Sequence, residues 1–315
     1  MPKSTRHIIK SQDFDPSTIE EIFKRADKFA EALGHPQEIQ ALQQIGRGQL
    51  VFTIFYEPST RTRVSFESAA INLGFGVVGT ENAREFSSAA KGETIEDTIR
   101  VMCGYHPAAI VMRHHEEGAA ERAMAVSTVP IINAGDGRGQ HPTQALLDLY
   151  TIYRELGRIK DLHIVLGGDL ANGRTGRSLV YLLRKYPGIR FSFVSPESLE
   201  MSDDIKHHLD KHKVVYTETQ DLHSVLPDAD VVYWTRVQKE RLAAGVDYKK
   251  VNAEYTLGQA ELKMMKNDSI IMHPLPRVGE IETSVDSDPR AAYFKQAAYG
   301  LPVRMALYDW VLGNY

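Results

Sequence analysis

Leu50-Val51-Phe52-Thr53-Ile54-Phe55-Tyr56-Glu57-Pro58-Ser59-Thr60-Arg61-Thr62-Arg63-Val64-Ser65 is an apolar run that stops at a proline and restarts as a helix. Its first seven residues are aromatic, branched or leucine, the composition of a strand. Pro58 breaks the strand and Ser59 is a good N-cap. An apolar-periodic segment from Val64 to Leu73 then ends at Gly74. Strand, short turn and helix make the repeating unit of a parallel α/β sheet. The turn also has chemistry. A helix N-terminus offers N–H groups and a partial positive charge, which suits a dianion. Two arginines and three hydroxyls add donors at the same spot. Taken alone, the same residues would also serve as a capped helix with solvated arginines.

Outward from this stretch the alternation continues. Asp15-Pro16 opens a helix and Gly34 closes it. Apolar runs at 50–56, 76–79, 108–112 and 129–133 predict strands of a first sheet, with helices at about 60–73, 93–104 and 116–126. An amphipathic segment from Pro142 to Leu156 leads to a second series, with strands at 162–168, 189–194, 213–217, 230–234 and 269–272. The expectation is an α/β protein of two parallel-sheet domains, residues 1–150 and 151–300, with a last helical segment, 301–315, packing back onto the first. Two long polar loops, Thr80 to Glu93 and Arg236 to about Tyr255, are of a length that is more often functional than not.

Composition narrows the class. At 315 residues, with 43% hydrophobic and 25% charged, the chain is ordinary for a globular protein of two domains. A net charge of −4 gives no support to nucleic-acid or anionic-membrane binding, so any anion site must be built locally. Cys103 is the single cysteine, so no disulfide forms within the chain and a reducing cytoplasm is the expected location. No apolar run is long enough for a signal or a membrane span.

Chemistry-bearing residues cluster where an open α/β sheet places ligands, at the carboxyl ends of strands. Ser59-Thr60-Arg61-Thr62 follows the first strand, Arg113 ends the third, and Gly135 to His141-Pro142-Thr143-Gln144 follows the fourth. In the second half Arg174, Arg236 with Gln238, and His273-Pro274-Leu275-Pro276-Arg277 sit in the same way. Each has a plain alternative: a lone arginine is usually solvated, His141 could cap its helix, and Lys91 could be a loop lysine. Gly167-Gly168 departs from a dinucleotide fingerprint, so no nicotinamide is expected. His114-His115 and His207-His208 with His212 lack an accompanying carboxylate or cysteine set, so exposed helix histidines are expected there and no metal. With no nucleophile triad and no P-loop lysine, the inventory fits direct acyl transfer from an acyl phosphate to an amine. Positioning and oxyanion stabilisation would suffice for that reaction.

Over nearly its full length the chain resembles the catalytic chains of the aspartate carbamoyltransferase family. The resemblance rests on Phe55 to Arg63, Ser87 with Lys91-Gly-Glu-Thr94, Val111-Met-Arg-His114, Asn133 to Gly137 with His141 to Gln144, Gly168-Asp-Leu170 with Gly173-Arg-Thr175, Thr235 to Arg241, and His273 to Arg277. It implies carbamoyl phosphate and L-aspartate as substrates, N-carbamoyl-L-aspartate and phosphate as products in pyrimidine synthesis, and no cofactor. It also implies an active site in a cleft between the domains and at a subunit interface of a homotrimer.

Residue by residue, Ser59, Thr60, Arg61 and Thr62 would hold the phosphate, and Thr62, Arg113 and His141 would polarise the carbamoyl oxygen. Gln144 and the backbone around Pro274 and Leu275 would hold the carbamoyl amide. Arg174, Arg236 and Gln238, with Lys91, Leu275 and Pro276, would hold the aspartate. Ser87 and Lys91 would reach in from a neighbouring subunit. The ornithine-specific relatives carry a cysteine where Leu275 stands and lack the loop lysine, so the aspartate reading is favoured over them and over a non-catalytic scaffold. Whether regulatory chains or a dihydroorotase associate is left open. One departure stands out: Arg177 is an additional arginine close to Arg174, expected on the helix surface.

Overall fold

In the computed structural model, residues 5–236 and 255–313 are described. They divide into two compact units. One takes the chain up to Leu147 and again from Tyr299; the other is Asp148–Ala298.

The first unit is built on four parallel strands: β1 (Leu50–Phe55), β2 (Gly76–Thr80), β3 (Ala109–His114) and β4 (Ile131–Asp136). Their order is β2-β1-β3-β4. From β1 the chain steps outward to β2, then crosses back to β3 on the other side. The connections therefore diverge between β1 and β3, which is where such sheets bind ligands. Helix α1 (Pro16–Ala32) has Asp15 as its cap, accepting the Thr18 N–H at 2.8 Å. A short α2 (Pro36–Leu42), not anticipated from the sequence, follows. The sheet is flanked by α3 (Thr60–Asn72), α5 (Ile95–Cys103) and α6 (Ala119–Val126), and a one-turn α4 (Ala83–Phe86) interrupts the polar 80–93 loop. Phe52, Ile54, Ile110, Met112 and Ile131 pack with Ile95, Ile99 and the alanines of α6 in one core.

The second unit has β5 (His163–Gly167), β6 (Arg190–Val194), β7 (Val215–Thr219), β8 (Val231–Trp234) and β9 (Ile270–Met272). All pairs are parallel and the order is β7-β6-β5-β8-β9, so the divergence falls between β5 and β8. Helix α7 (Pro142–Leu156) carries the chain into this unit. It is followed by α8 (Arg174–Leu183), α9 (Asp203–Lys211) and α10 (Gln259–Met264). Val165, Val232, Trp234 and Ile271 form the core with Leu222, Leu226 and Tyr255.

The last helix, α11, spans Tyr293–Leu312, so it begins before Leu301 and holds Pro302 in its interior. The division between units likewise falls at Leu147 and Ala298, slightly ahead of the expected positions. Among the described residues no helix is long and apolar enough to cross a membrane.

Candidate active site

In the first unit, register places the candidates on neighbouring strand ends. Phe55 stands opposite Arg113, and the Tyr56 N–H donates to the Arg113 carbonyl at 2.9 Å. The ladder between β3 and β4 shifts register between Met112 and His114, next to Arg113. Irregularities of this kind re-aim a side chain at the edge of a sheet. Arg113 is half-buried, with its Nε 3.4 Å from Glu57 Oε2.

At the start of α3 the first intrahelical bond runs from Arg63 N–H to Ser59 O, 3.0 Å. The N–H groups of Thr60, Arg61 and Thr62 thus have no acceptor within the helix. Ser59 occupies the cap position, yet its hydroxyl makes no capping bond; its N–H donates to Glu81 Oε1 at 3.2 Å instead. This corrects the expectation of a side-chain cap. A second correction concerns the paired arginines. Arg63 is committed to Glu81 at 2.9 Å and to Glu67 at 3.4 Å, and Glu67 also accepts from Thr53 at 2.9 Å. Arg63 therefore pins α3 to β1 and to the end of β2, and Arg61 is the exposed guanidinium of the turn.

His141 is buried at the head of α7, with Nδ1 3.4 Å from the Thr143 hydroxyl. The preceding turn is shaped by Asp136, which accepts from the N–H groups of Gly118 (2.9 Å) and Gln140 (2.8 Å) and from the Asn133 amide (3.1 Å). Gln144 stands one turn further along α7, and its N–H donates to the His141 carbonyl at 3.0 Å. Ser59 to Thr62, Arg113, His141 and Gln144 are thus brought to the ends of β1, β3 and β4. Ser87 and Lys91 stand on the segment that follows the edge strand β2. Ser87 caps its own short turn by accepting the Ala89 N–H at 3.2 Å, and Lys91 is exposed.

His114 is neither exposed nor helical, contrary to expectation. It ends β3, is 5% exposed, stacks on His115 at 4.3 Å and packs against the Tyr56 ring at 4.5 Å. Burial, with His115 beside it, pushes its imidazole down to about 4. Among the described residues no group of three or more His, Cys, Asp or Glu is gathered for a metal.

In the second unit Arg174 is the first residue of α8 after β5, and Arg236 lies two residues beyond β8, the neighbour of β5. The approach of the two strand ends is tight. Thr235 donates both its N–H (2.9 Å) and its hydroxyl (2.8 Å) to the Gly167 carbonyl. Gly168, at φ +100°, faces Thr235 so closely that a Cβ would overlap the Thr235 backbone. Arg177 donates to Ser202 (2.5 Å) and Asp204 (2.6 Å), which accounts for the additional arginine as a tie to α9. Pro274, Leu275 and Pro276 follow β9; Leu275 has φ +54° and the Leu275–Pro276 peptide is cis. Gln238 lies outside the described residues.

Residues 6–154 match the family model described as "Aspartate/ornithine carbamoyltransferase, carbamoyl-P binding domain", and residues 160–311 match the corresponding "Asp/Orn binding domain". The chain belongs to the aspartate/ornithine carbamoyltransferase family.

It is 53% identical over 301 residues to aspartate carbamoyltransferase 1, chloroplastic, of Pisum sativum, covering 95% of this chain and 77% of that one. The catalytic subunit of Methanocaldococcus jannaschii aspartate transcarbamoylase superposes with a TM-score of 0.89 at 45% identity, covering 98% of each chain. A Trypanosoma cruzi aspartate transcarbamoylase solved with carbamoyl phosphate and aspartate superposes with a TM-score of 0.87 at 38% identity, covering 97% of this chain and 96% of that one.

Within this carbamoyltransferase fold, several polar partnerships escaped the reading of the sequence. His273 and Glu280, each about 2% exposed, join through Nε2 and Oε1 at 2.8 Å. Burial pushes the Glu280 carboxyl up, but the bonds from His273 and from the N–H groups of Val278 and Glu280 outweigh it and hold the group below its ordinary value. Asp148, fully buried, accepts from the Tyr233 hydroxyl at 2.9 Å and the Gln296 amide at 2.7 Å. Burial next to that carboxylate pushes the Tyr233 phenol far up. An apolar run containing one histidine or tyrosine carries no local mark of such a partner. The His273…Glu280 spacing was the one signal available.

Proposed function

We propose that this chain transfers the carbamoyl group of carbamoyl phosphate to the amino group of L-aspartate, giving N-carbamoyl-L-aspartate and phosphate, a reaction of de novo pyrimidine synthesis. The observation that carries the reading is the gathering of Thr60–Thr62, Arg113 and His141 on adjacent strand ends at the divergence of a sheet that matches a carbamoyl-phosphate-binding family.

In this reading Ser59, Thr60, Arg61 and Thr62 receive the phosphate at the start of α3, where backbone N–H groups and the helix dipole favour negative charge. The amine attacks the carbamoyl carbon, the C=O electrons move to oxygen, and collapse expels phosphate, which takes the amine proton. Thr62, Arg113 and His141 donate to the oxygen while it carries charge. Each such donor is worth about 3 kcal/mol or more in the transition state. His141 donates through Nε2, the tautomer set when the Thr143 hydroxyl donates to Nδ1. Gln144 and the carbonyls of Pro274 and Leu275 receive the amide. Arg174, Arg236 and Gln238, with Leu275 and Pro276, select the two carboxylates of aspartate through planar guanidinium forks.

We extend the proposal to a cytoplasmic homotrimer, in which Ser87 and Lys91 complete the site of a neighbouring chain and Lys91 also meets the aspartate. The exposure of Lys91 and the 77% exposure of Phe86 on the same segment support a shared surface there. The lone cysteine supports the location. The test mixes Lys91→Gln with Arg61→Ala chains, each inactive alone. Hybrid assemblies should regain part of the parent's carbamoyl-aspartate formation, because one intact shared site is restored. Activity no better than the two parents summed refutes the shared site. Carbamoyl transfer to L-ornithine in preference to L-aspartate refutes the acceptor.

A further inference from the structure

The turn from Pro274 to Gly279 is held from beneath by two buried side chains. The His273 Nδ1 accepts the Leu275 N–H at 2.8 Å, so this nitrogen carries no proton and Nε2 bears the hydrogen donated to Glu280. The other oxygen of Glu280 accepts the Val278 N–H at 2.8 Å. One imidazole and one carboxylate therefore fasten both ends of the turn, while Pro276, Val278 and Gly279 between and beside them are exposed. Leu275, at φ +54°, occupies backbone space that a leucine seldom takes without such restraint. The His273 N–H donates to Gln296 at 2.8 Å. Gln296 donates to Asp148 at 2.7 Å, and Asp148 accepts the Tyr233 hydroxyl, which also meets Thr175 beside Arg174.

A buried carboxylate of this kind is costly to desolvate, and a well-packed apolar pair would fill the same volume at no such cost. Its geometry is directional, however, and what it directs is the backbone of Leu275. We propose that His273 and Glu280 are positioning residues that fix the Pro274–Leu275 carbonyls for the amide of the donor, and so let the enzyme tell a carbamoyl phosphate from an acyl phosphate lacking that amide. The inference rests on the carbamoyl-transfer reading for the role of those carbonyls. Removing the charge should therefore alter discrimination between donors, and leave binding of the phosphate moiety alone.

Acetyl phosphate has the phosphate and the carbonyl but a methyl in place of the amide, and is the probe. Binding of carbamoyl phosphate and of acetyl phosphate is measured by calorimetry on the intact assembly of the parent and of Glu280→Gln. In the variant the side-chain amide can no longer accept from both His273 and Val278. Carbamoyl phosphate should weaken about tenfold while acetyl phosphate keeps its parent affinity, so that the ratio collapses. Should Glu280→Gln fail to assemble, His273→Asn is measured instead. It keeps an acceptor for the Leu275 N–H and should retain more of the ratio than His273→Leu. Equal weakening of both ligands, or an unchanged ratio in a folded variant, overturns the proposal. Because discrimination is read by binding, failure of the parent to form carbamoyl aspartate would count against the reaction proposed above and would be seen separately.

Discussion

Replacing Gly168 by alanine tests whether the contact between the ends of β5 and β8 places Arg236. The added Cβ would stand 2.7 Å from Thr235 Oγ1 and closer still to the Thr235 carbonyl, against an ordinary contact range that begins at 3.4 Å. Thr235 cannot turn aside alone, since its N–H and hydroxyl are both bonded to the Gly167 carbonyl. The Thr235 carbonyl and the added Cβ must part by more than an ångström. Two costs combine: about 1–2 kcal/mol for a side chain at φ +100°, and about 1–3 kcal/mol for overpacking against backbone. Urea denaturation of the assembled enzyme should register a loss of about 2–5 kcal/mol. Arg236 is the next residue after Thr235, so the guanidinium moves with it. A misplacement of this size at a substrate-positioning group costs about a hundredfold. The kcat/KM for aspartate should fall by about that factor, with KM raised, while inorganic phosphate binding, assigned to Ser59–Thr62 in the other unit, stays at the parent value. Parent-like aspartate kinetics in a folded Gly168→Ala enzyme would refute the placement of Arg236 as an aspartate ligand.

Two further perturbations address the first unit. His141→Ala should lower kcat by about 10²–10³-fold with a much smaller change in carbamoyl phosphate affinity, because the oxygen it serves gains its charge in the transition state; steady-state kinetics with both substrates varied would show this, and unchanged turnover would contradict the role. His114 should make stability fall with acidity. Its unfolded value is about 6.5 and its folded value about 4, so between these the unfolded chain binds a proton that the folded chain refuses. The contribution is fully present above about pH 6.5 and lost on the way down to about 4, at most about 3 kcal/mol. His114→Asn, which keeps an acceptor for the Glu116 N–H, should show a flatter fall of the urea midpoint between pH 7.5 and 5 than the parent, and an equal slope would refute the assignment.

The strands were legible because each is a short run of branched and aromatic residues closed by a breaker, and buried parallel strands have that composition whatever surrounds them. The start of α11 was not. Leu301-Pro302 imitates a helix start, since proline is favoured at the first helical position, whereas here it lies in the interior of a helix buried through most of its second half. His114 was misjudged because His114-His115-Glu116-Glu117 is polar in composition, while Tyr56, which covers it, is brought there by the pairing of β1 with β3. The ion pair of Arg63 with Glu67 is one helical turn in length and could have been read locally. That with Glu81 could not, because it needs β2 beside β1. Asp148 and its partners are 85 and 148 residues apart in sequence, beyond any local pattern.

The strand ends also explain how a chain of net charge −4 would offer the two anion sites proposed above. At about 0.1 M salt, charges beyond about 10 Å are largely screened, so the overall balance matters less than what each sheet edge exposes. In the first unit the proposed donors are of mixed kind: backbone N–H groups, hydroxyls, an imidazole, the exposed guanidinium of Arg61 and the half-buried one of Arg113 held against Glu57. That mixture suits a phosphate beside a carbonyl whose charge appears only transiently, since a neutral dipole stabilises developing charge without trapping the ground state. In the second unit the proposed donors are Arg174 and Arg236, whose guanidinium forks match carboxylates already ionised before the reaction. The glutamates that bind Arg63 withdraw one cation from the first edge and leave Arg61 as the exposed guanidinium of the turn. The pairing of Arg63 with Glu81 thus belongs to the packing of α3 against the end of β2.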